Sequence, residues 1–318
     1  MKDRFGDNER VQRRVPPIES RLLAACCEQL FGSPAAGELF RAGHLAAVIG
    51  VRLADGREVV VRVRDGAPRV TACVAVQRRL FECGYPCPEP LAGPALVGEY
   101  AVTAESYRPG RSGLPASGRL AGPFAVPLAR LVELAPGVGE VPPLAPAPAW
   151  AAWNHQEGGL WPWPDDQDAD LNQAGGPGWI DDTGRAARHR LQAGQGEIVI
   201  GHGDWYPENL RWCGDRLLVA YDWDSLIADS EAVIAGLAAA VYPTTCAGDE
   251  ATVAETEAFL ASYAEARGRP FSSDERQQCW AAGVWLRAFD AKKQHASGRP
   301  VRSLTQAETR ERLRRAGV

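Results

Sequence analysis

One short polar segment stands between two apolar runs. The segment IVIGHGDWYPENLRW covers residues 198–212, and VAYDWDSL follows at residues 219–226. Among their polar residues are the carboxylates of Asp204 and Asp222 and the amide of Asn209. Oxygen ligands of this kind suit a hard cation such as Mg²⁺, which takes few protein ligands and leaves positions for phosphate oxygens.

The order of these residues gives each a different task. Asn209 and Asp222 would bind the cation, which leaves Asp204 to accept or orient the proton of an attacking hydroxyl. Two short strands flanking the loop are expected to bring all three side chains to one edge of a hairpin. Each residue alone is an ordinary turn former. The combination favours phosphoryl transfer, whose catalysis is mainly positioning and charge neutralisation.

Four neighbouring residues are open to a structural interpretation. His202 is expected to brace the loop backbone. Trp205 and Trp223 are expected to pack in the core rather than stack on a substrate. Asp224 is either a second carboxylate that supports the site or a solvated turn residue.

The first hundred residues predict a lobe rich in β-structure. A short helix is expected over about residues 18–31, and two β-rich runs are joined at residues 54–56 by a hairpin turn signal. A helix over about residues 69–83 follows. Its apolar face consists of Val70, Cys73, Val76 and Leu80. Strand-like segments around residue 96 and over 100–107 come next.

The rest of the chain predicts a larger, mainly helical lobe. Residues 135–150 are rich in Pro and Ala and are expected to form an extended connection. Helices are expected over residues 229–242, 252–267, 272–291 and 305–316, the last two opening with capping-box spacings. A β-rich lobe of residues 1–108 and a helical lobe of residues 109–318 describe a bilobal α+β enzyme with a cleft.

Composition narrows the range of partners. With 45% apolar residues and a net charge of −5, the 318-residue chain gives no reason to expect nucleic acid or an anionic membrane as partner. Its charged N-terminus and the absence of a long apolar run predict a cytoplasmic protein. The eight cysteines match no zinc spacing; Cys83 and Cys87 could bind a soft metal, but buried thiols are expected. The sequence does not indicate an oligomeric state.

The stretches HGDWYPENL and YDWD resemble the catalytic loop and metal-binding motif of the aminoglycoside phosphotransferase family, small-molecule kinases with the protein-kinase fold. The similarity covers roughly residues 35–245, including AESYRPG at the place of that family's interlobe hinge. It implies ATP or GTP as phosphate donor, Mg²⁺ as cofactor and a hydroxyl group on a small molecule as acceptor. It also implies Asp204 as catalytic base, Asn209 and Asp222 as metal ligands, and hinge contacts to the nucleotide, mainly through the backbone, at Glu105, Ser106 and Tyr107.

The chain departs from that family where the nucleotide phosphates are held. Kinases of this fold use a strand lysine paired with a helix glutamate, yet no lysine lies between Lys2 and Lys292. In VVVRVRDG the lysine position falls on Arg62, with Arg64 on the same strand face. Cys73 occupies the place of the helix glutamate.

Two interpretations of these departures stay open. An arginine fork can bind phosphate, although its reach and hydration differ from those of lysine. Alternatively, Arg62 and Arg64 lie on a solvated strand face. The loop expected to cover the phosphates contains one glycine, Gly43. A pseudokinase that binds nucleotide as a sensor or scaffold is the rival to an enzyme, but the presence of Asp204 with both metal ligands favours the enzyme.

The acceptor is the least determined part. Six aspartates near the middle of the large lobe could line a cleft for a cationic, aminoglycoside-like acceptor, namely Asp165, Asp166, Asp168, Asp170, Asp181 and Asp182. Trp161 and Trp163 could form a cation-binding wall. The alternative is an exposed acidic loop pinned by these tryptophans. Sugars, amino alcohols, amino acids, macrolides and peptide antibiotics are also open as acceptors.

Overall fold

Residues 18–43, 45–65, 69–245 and 250–318 are described by the structure, a computed structural model. An antiparallel five-stranded sheet in the order β1-β2-β3-β5-β4 forms most of the small lobe. Its strands are β1 (Ala35–Ala42), β2 (Ala47–Leu53), β3 (Glu58–Asp65), β4 (Pro90–Val97) and β5 (Tyr100–Ser106). The helices α1 (Ser20–Phe31) and α2 (Val70–Glu82) accompany the sheet.

The hairpin between β2 and β3 follows from local chemistry. Asp55 accepts a hydrogen bond of 3.0 Å from the backbone of Arg57, and Val51 pairs with Val59 across the turn. The first β-rich run contains two strands, however, because a turn at Gly43 divides it. Gly43 has φ +126°, and a Cβ there would collide with the carbonyl oxygen of Ala46. Glycine is therefore required by the turn itself.

The apolar interior is divided into two clusters that do not follow the lobe boundary. One cluster joins α1 to one face of the sheet, through residues such as Cys26, Ile49 and Val61. The buried face of α2, including Val76 and Leu80, belongs instead to the cluster of the large lobe. The helix predicted from its periodicity is confirmed, but it faces the large lobe.

Polar contacts support the attachment of α2. Arg69, just before the helix, donates to the carbonyl oxygens of Leu226 and, at 2.9 Å, of Pro146. Beyond the helix, the backbone N–H of Ala220 donates to the carbonyl of Pro86 at 2.8 Å. Both ends of α2 are thus tied to the large lobe.

Among the described residues, six α-helices and two strand pairs form the large lobe. The helices are α3 (Ala121–Leu134), α4 (Gly178–Gln192), α5 (Glu231–Val241), α6 (Val253–Ala266), α7 (Ser273–Ala296) and α8 (Gln306–Ala316). The strands are β6 (Ile198–His202), β7 (Leu210–Cys213), β8 (Arg216–Ala220) and β9 (Leu226–Ser230). The four expected helices are present, and none of the described helices is long and apolar enough to cross a membrane.

Two of the observed helices, α3 and α4, are not predicted from the sequence. α3 contains Pro127 in its interior, and α4 follows the breaker-rich segment at residues 175–178. Proline and glycine weaken a helix signal in isolation. Burial of residues such as Phe124 and Leu128 stabilises α3 in the folded chain. Tertiary packing therefore overrides the local signal here.

The crossing of α5 and α7 generates a test of the fold. A Cβ at Gly236 would collide with the backbone of Cys279 on α7. We expect Gly236→Ala to force the helices apart and to lower the free energy of unfolding by about 1–3 kcal/mol, the usual cost of overpacking. Urea denaturation measures this loss.

Gly122→Ala is the matched control, because Gly122 of α3 has no atom near its hypothetical Cβ. It should be neutral or slightly stabilising, since alanine is the better helix former. Equal stability of the two variants would show that α5 and α7 do not cross as closely as described.

Candidate active site

Two separate strand pairs position the polar loop, and the single hairpin expected from the sequence is wrong. β6 pairs with β9, so that His202 lies opposite Leu226. β7 pairs with β8, and the N–H of Tyr221 donates to the carbonyl of Asn209 at 2.8 Å where that hairpin opens. Asp204 follows β6, whereas Asn209 and Asp222 flank the β7–β8 hairpin.

Asp204 and Asn209 are joined directly. The Asn209 side-chain nitrogen donates to Asp204 Oδ2 at 2.8 Å and to the Asp204 carbonyl oxygen at 2.9 Å. Burial, followed by the negative charge of Asp222, raises the pKa of Asp204 to about 7. A carboxylate with this pKa is half-protonated near neutral pH, which suits a general base.

His202 supports the loop from the protein interior. It is fully buried, its Nε2 lies 3.0 Å from the carbonyl oxygen of Tyr221, and its Nδ1 accepts from the N–H of Asp204 at 3.2 Å. These partners require the neutral ring with the proton on Nε2. Burial also lowers the pKa of His202. Trp205 and Trp223 pack edge-on against the ring, so these tryptophans belong to the core.

Asp222 adopts the left-handed backbone conformation, with φ 60°. Its Oδ2 accepts from the Ser225 hydroxyl at 2.7 Å, and its Oδ1 lies 3.6 Å from Nη1 of Arg62. About a third of the side chain remains exposed. One carboxylate oxygen of Asp222 is therefore fixed within the loop, while the other faces the guanidinium group of Arg62.

The oxygen atoms present fit a magnesium ion shared with a nucleotide. The side-chain nitrogen of Asn209 is engaged with Asp204, which leaves its amide oxygen for a cation. Within the described ranges there is no group of three or more His, Cys, Asp or Glu side chains that could hold a metal. One amide and one carboxylate alone would make an incomplete site, and phosphate oxygens would complete it.

The two arginines of β3 face the cleft and are not solvated surface residues. Arg62 pairs with Glu105 at 3.1 Å. Arg64 donates to the Thr103 hydroxyl at 2.9 Å and forms an ion pair with Asp224. Burial and the neighbouring Arg62 lower the pKa of Arg64 to about 10. Asp224 is therefore a supporting carboxylate of the site and not a solvated turn residue.

Glu105, Ser106 and Tyr107, the residues expected at the hinge, lie at the end of β5 and directly after it. The side chain of Glu105 is buried and directed at Arg62, not at a nucleobase. The backbone N–H groups of Ser106 and Tyr107 already donate to the carbonyls of Glu89 and Glu58, at 2.8 and 3.2 Å. Both N–H groups are therefore already used within the protein.

The acidic segment is mostly engaged by protein partners. Asp165 accepts from the N–H of Ala149 at 2.7 Å, and Asp166 pairs with Lys293 at 2.6 Å. Asp181 pairs with Lys292 at 2.9 Å. Trp161 is 1% exposed and packs on Trp285 and Phe289. Trp161 therefore cannot form the cation-binding wall that the sequence suggested.

Sequence reasoning missed three contributors to the site. Gln77 of α2 donates to Glu105 at 2.8 Å. The indole N–H of Trp150 donates to the carbonyl of Gly203 at 3.1 Å, beside Asp204. The charge of Asp290 on α7 raises the pKa values of Asp204 and of Tyr206. All three are distant from the loop in sequence, and no local pattern marks them.

Comparisons with known proteins agree with this fold. The model of the phosphotransferase enzyme family (APH) matches residues 37–229, more than half of the chain. A spectinomycin phosphotransferase in complex with ADP and spectinomycin has a similar structure, with 13% identity, a TM-score of 0.58 and 94% of both chains covered. An amicoumacin kinase in complex with AMP-PNP and Ca²⁺ has 10% identity and a TM-score of 0.62, covering 94% of this chain and 92% of that chain.

A thermostable mutant of an aminoglycoside phosphotransferase, in its apo form, has 12% identity and a TM-score of 0.54, covering 92% of this chain and 97% of that chain. No curated protein sequence matches the chain. At these identities the solved structures establish the bilobal α+β fold, and the family model establishes the relationship in sequence. The chain belongs to the phosphotransferase enzyme family and is a small-molecule kinase.

Proposed function

We propose that this protein transfers the γ-phosphate of ATP to a hydroxyl group of a small molecule in a magnesium-dependent reaction. The main support for this proposal is the polar loop. There the side-chain nitrogen of Asn209 donates to Asp204 Oδ2 at 2.8 Å, and the charge of Asp222 acts on the same carboxylate. Adenine nucleotides are the ligands of the spectinomycin phosphotransferase and amicoumacin kinase structures, which favours ATP over GTP.

Each residue of the loop then has a distinct role. Asp204 accepts or orients the proton of the acceptor hydroxyl, and Asn209 fixes the direction of that carboxylate. Asn209 and Asp222 would hold Mg²⁺, which neutralises phosphate charge when bound. Arg62 of β3, directed into the cleft, would grip the nucleotide phosphates through its planar fork. Gly43 shapes the turn that covers them.

The acceptor side of the loop favours a cationic compound. Asp290 of α7 interacts electrostatically with Asp204 and Tyr206, and its own pKa is raised to about 6 by burial. An ammonium group near the reacting hydroxyl would stabilise both carboxylates. The spectinomycin phosphotransferase structure contains spectinomycin, and a ternary complex of the aminoglycoside phosphotransferase contains hygromycin B. We therefore propose an amine-bearing, antibiotic-like alcohol as acceptor, with neutral sugars as the alternative.

Replacing the base should separate chemistry from nucleotide binding. Asp204→Ala is expected to lower kcat by about 10²-fold or more, the usual contribution of general base catalysis, while the Kd for Mg·ATP stays within about threefold. Asp222→Ala should weaken Mg·ATP binding as well, because it removes a cation ligand. Nucleotide titration and single-turnover assays measure both. Substantial turnover by Asp204→Ala would remove the base from the mechanism.

The raised pKa of Asp204 predicts a pH dependence. Below about pH 7 the carboxyl is protonated and cannot accept a proton, so kcat/KM with a neutral alcohol should fall about tenfold per pH unit on the acid side. Asp290→Asn should move this limb to lower pH, because it removes a negative charge that raises the pKa of Asp204. The shift distinguishes titration of Asp204 from titration of the nucleotide. An acid limb that does not move would contradict the assignment of this limb to Asp204.

Asp290 also offers a test of the acceptor class. Asp290→Asn should raise KM for amine-bearing acceptors by about tenfold, while KM for ATP stays unchanged. Asp182→Asn is the matched control, because Asp182 is exposed and pairs only weakly with Arg185 at 3.3 Å. A screen of hydroxylated amines against neutral sugars gives the comparison. Equal effects on both acceptor classes would argue against a cationic acceptor.

A further inference from the structure

Arg62 has its carboxylate partner on a neighbouring strand rather than on a helix. β3 and β5 pair antiparallel, with Arg62 opposite Thr103. Glu105 lies two residues along β5, on the same face as Thr103. Its Oε1 is 3.1 Å from Nη2 of Arg62, and the two side chains are only 7% and 12% exposed.

The second oxygen of Glu105 is held from α2. The side-chain nitrogen of Gln77 donates to Glu105 Oε2 at 2.8 Å and to the carbonyl of Pro88 at 3.0 Å. Gln77 lies one helical turn after Cys73, the place where the sequence lacks a glutamate. The helix thus still contacts the pair, but it supplies a neutral amide and the strand supplies the charge.

We infer that Glu105, fixed by Gln77, positions Arg62 to grip the nucleotide phosphates; this rests on the proposed function of Arg62. The ion pair between Arg62 and Glu105, which would align the guanidinium group with the phosphates, therefore forms between two strands of the sheet. Both Glu105 oxygens have fixed partners, so Arg62 is held in one orientation. Binding then requires little reordering of the fork, which conserves affinity.

Glu105 also competes with the proposed cation site for Arg62. Arg62 lies between two carboxylates, 3.1 Å from Glu105 and 3.6 Å from Asp222. Glu105 is the closer and the more buried of the two, and attraction between charges is stronger where water is excluded. Without Glu105, Arg62 would have Asp222 as its remaining carboxylate partner and would compete there with a metal cation.

A hinge role for Glu105 makes a different prediction, and direct binding measurements separate the two. Glu105→Gln keeps the shape and removes the charge. We expect the Kd for Mg·ATP to rise about tenfold or more, as for loss of a charged hydrogen bond. The Kd for adenosine, which has no phosphates, should change less than twofold. An equal loss for both ligands would assign Glu105 to the nucleobase and overturn the inference.

Glu58→Gln is the matched control, since Glu58 forms a cross-strand pair with Arg52 at 2.7 Å in the same sheet but at an exposed site. It should bind both ligands like the parent protein. Should Glu105→Gln fail to fold by circular dichroism, Glu105→Asp replaces it. The shorter carboxylate should give an intermediate loss for Mg·ATP alone, and an unchanged Kd would count against the inference.

A double-mutant cycle tests whether Glu105 acts through Arg62. Arg62→Ala alone should weaken Mg·ATP by about tenfold, and adding Glu105→Gln to it should cause little further loss. Full additivity would show independent roles and reject the positioning function. If the parent protein neither binds Mg·ATP nor phosphorylates any acceptor, the proposed function fails. If the parent protein is active and Glu105→Gln binds Mg·ATP normally, only this inference fails.

Discussion

The site depends on keeping two like charges, Asp204 and Asp222, close together in a partly dehydrated loop. Burial of Asp204, followed by repulsion from Asp222, raises the pKa of Asp204 to about 7. Asn209 and Ser225 each donate to one of the two carboxylates, and Arg62 approaches Asp222 from the small lobe. The proposed division of roles, with a proton at Asp204 and a cation at Asp222, rests on this difference between the environments of the two carboxylates.

Much of this arrangement could be predicted because it is encoded locally. The loop motif, the β2–β3 hairpin and the apolar face of α2 all depend on residues within a few positions of one another. The pairing of the loop strands could not be predicted, since β6 and β9 are separated by the whole β7–β8 hairpin. Strand partners over such distances depend on tertiary packing and not on a sequence period.

The roles of Glu105 and of the acidic segment illustrate the same limit. Glu105 lies near the end of a strand, so its sequence position fits a hinge as well as a sheet face. Only the β3–β5 register, in which Val60 opposes Glu105, directs its side chain at Arg62. Likewise Asp166 and Asp181 look like free carboxylates until α7 brings Lys293 and Lys292 to them, more than 100 residues later in the chain.

The apolar face of α2 belongs to the interior of the large lobe, so the two lobes are not interchangeable modules. A cut at residue 108 would carry Val76 and Leu80 away from the cluster that buries them. It would also break the hydrogen bonds that Arg69 donates and that Pro86 accepts. Exchange of lobes between members of this family would therefore succeed only if residues 70–88 travelled with the helical half. Recombination at the apparent interlobe boundary would instead yield a sheet with an exposed, aggregation-prone helix.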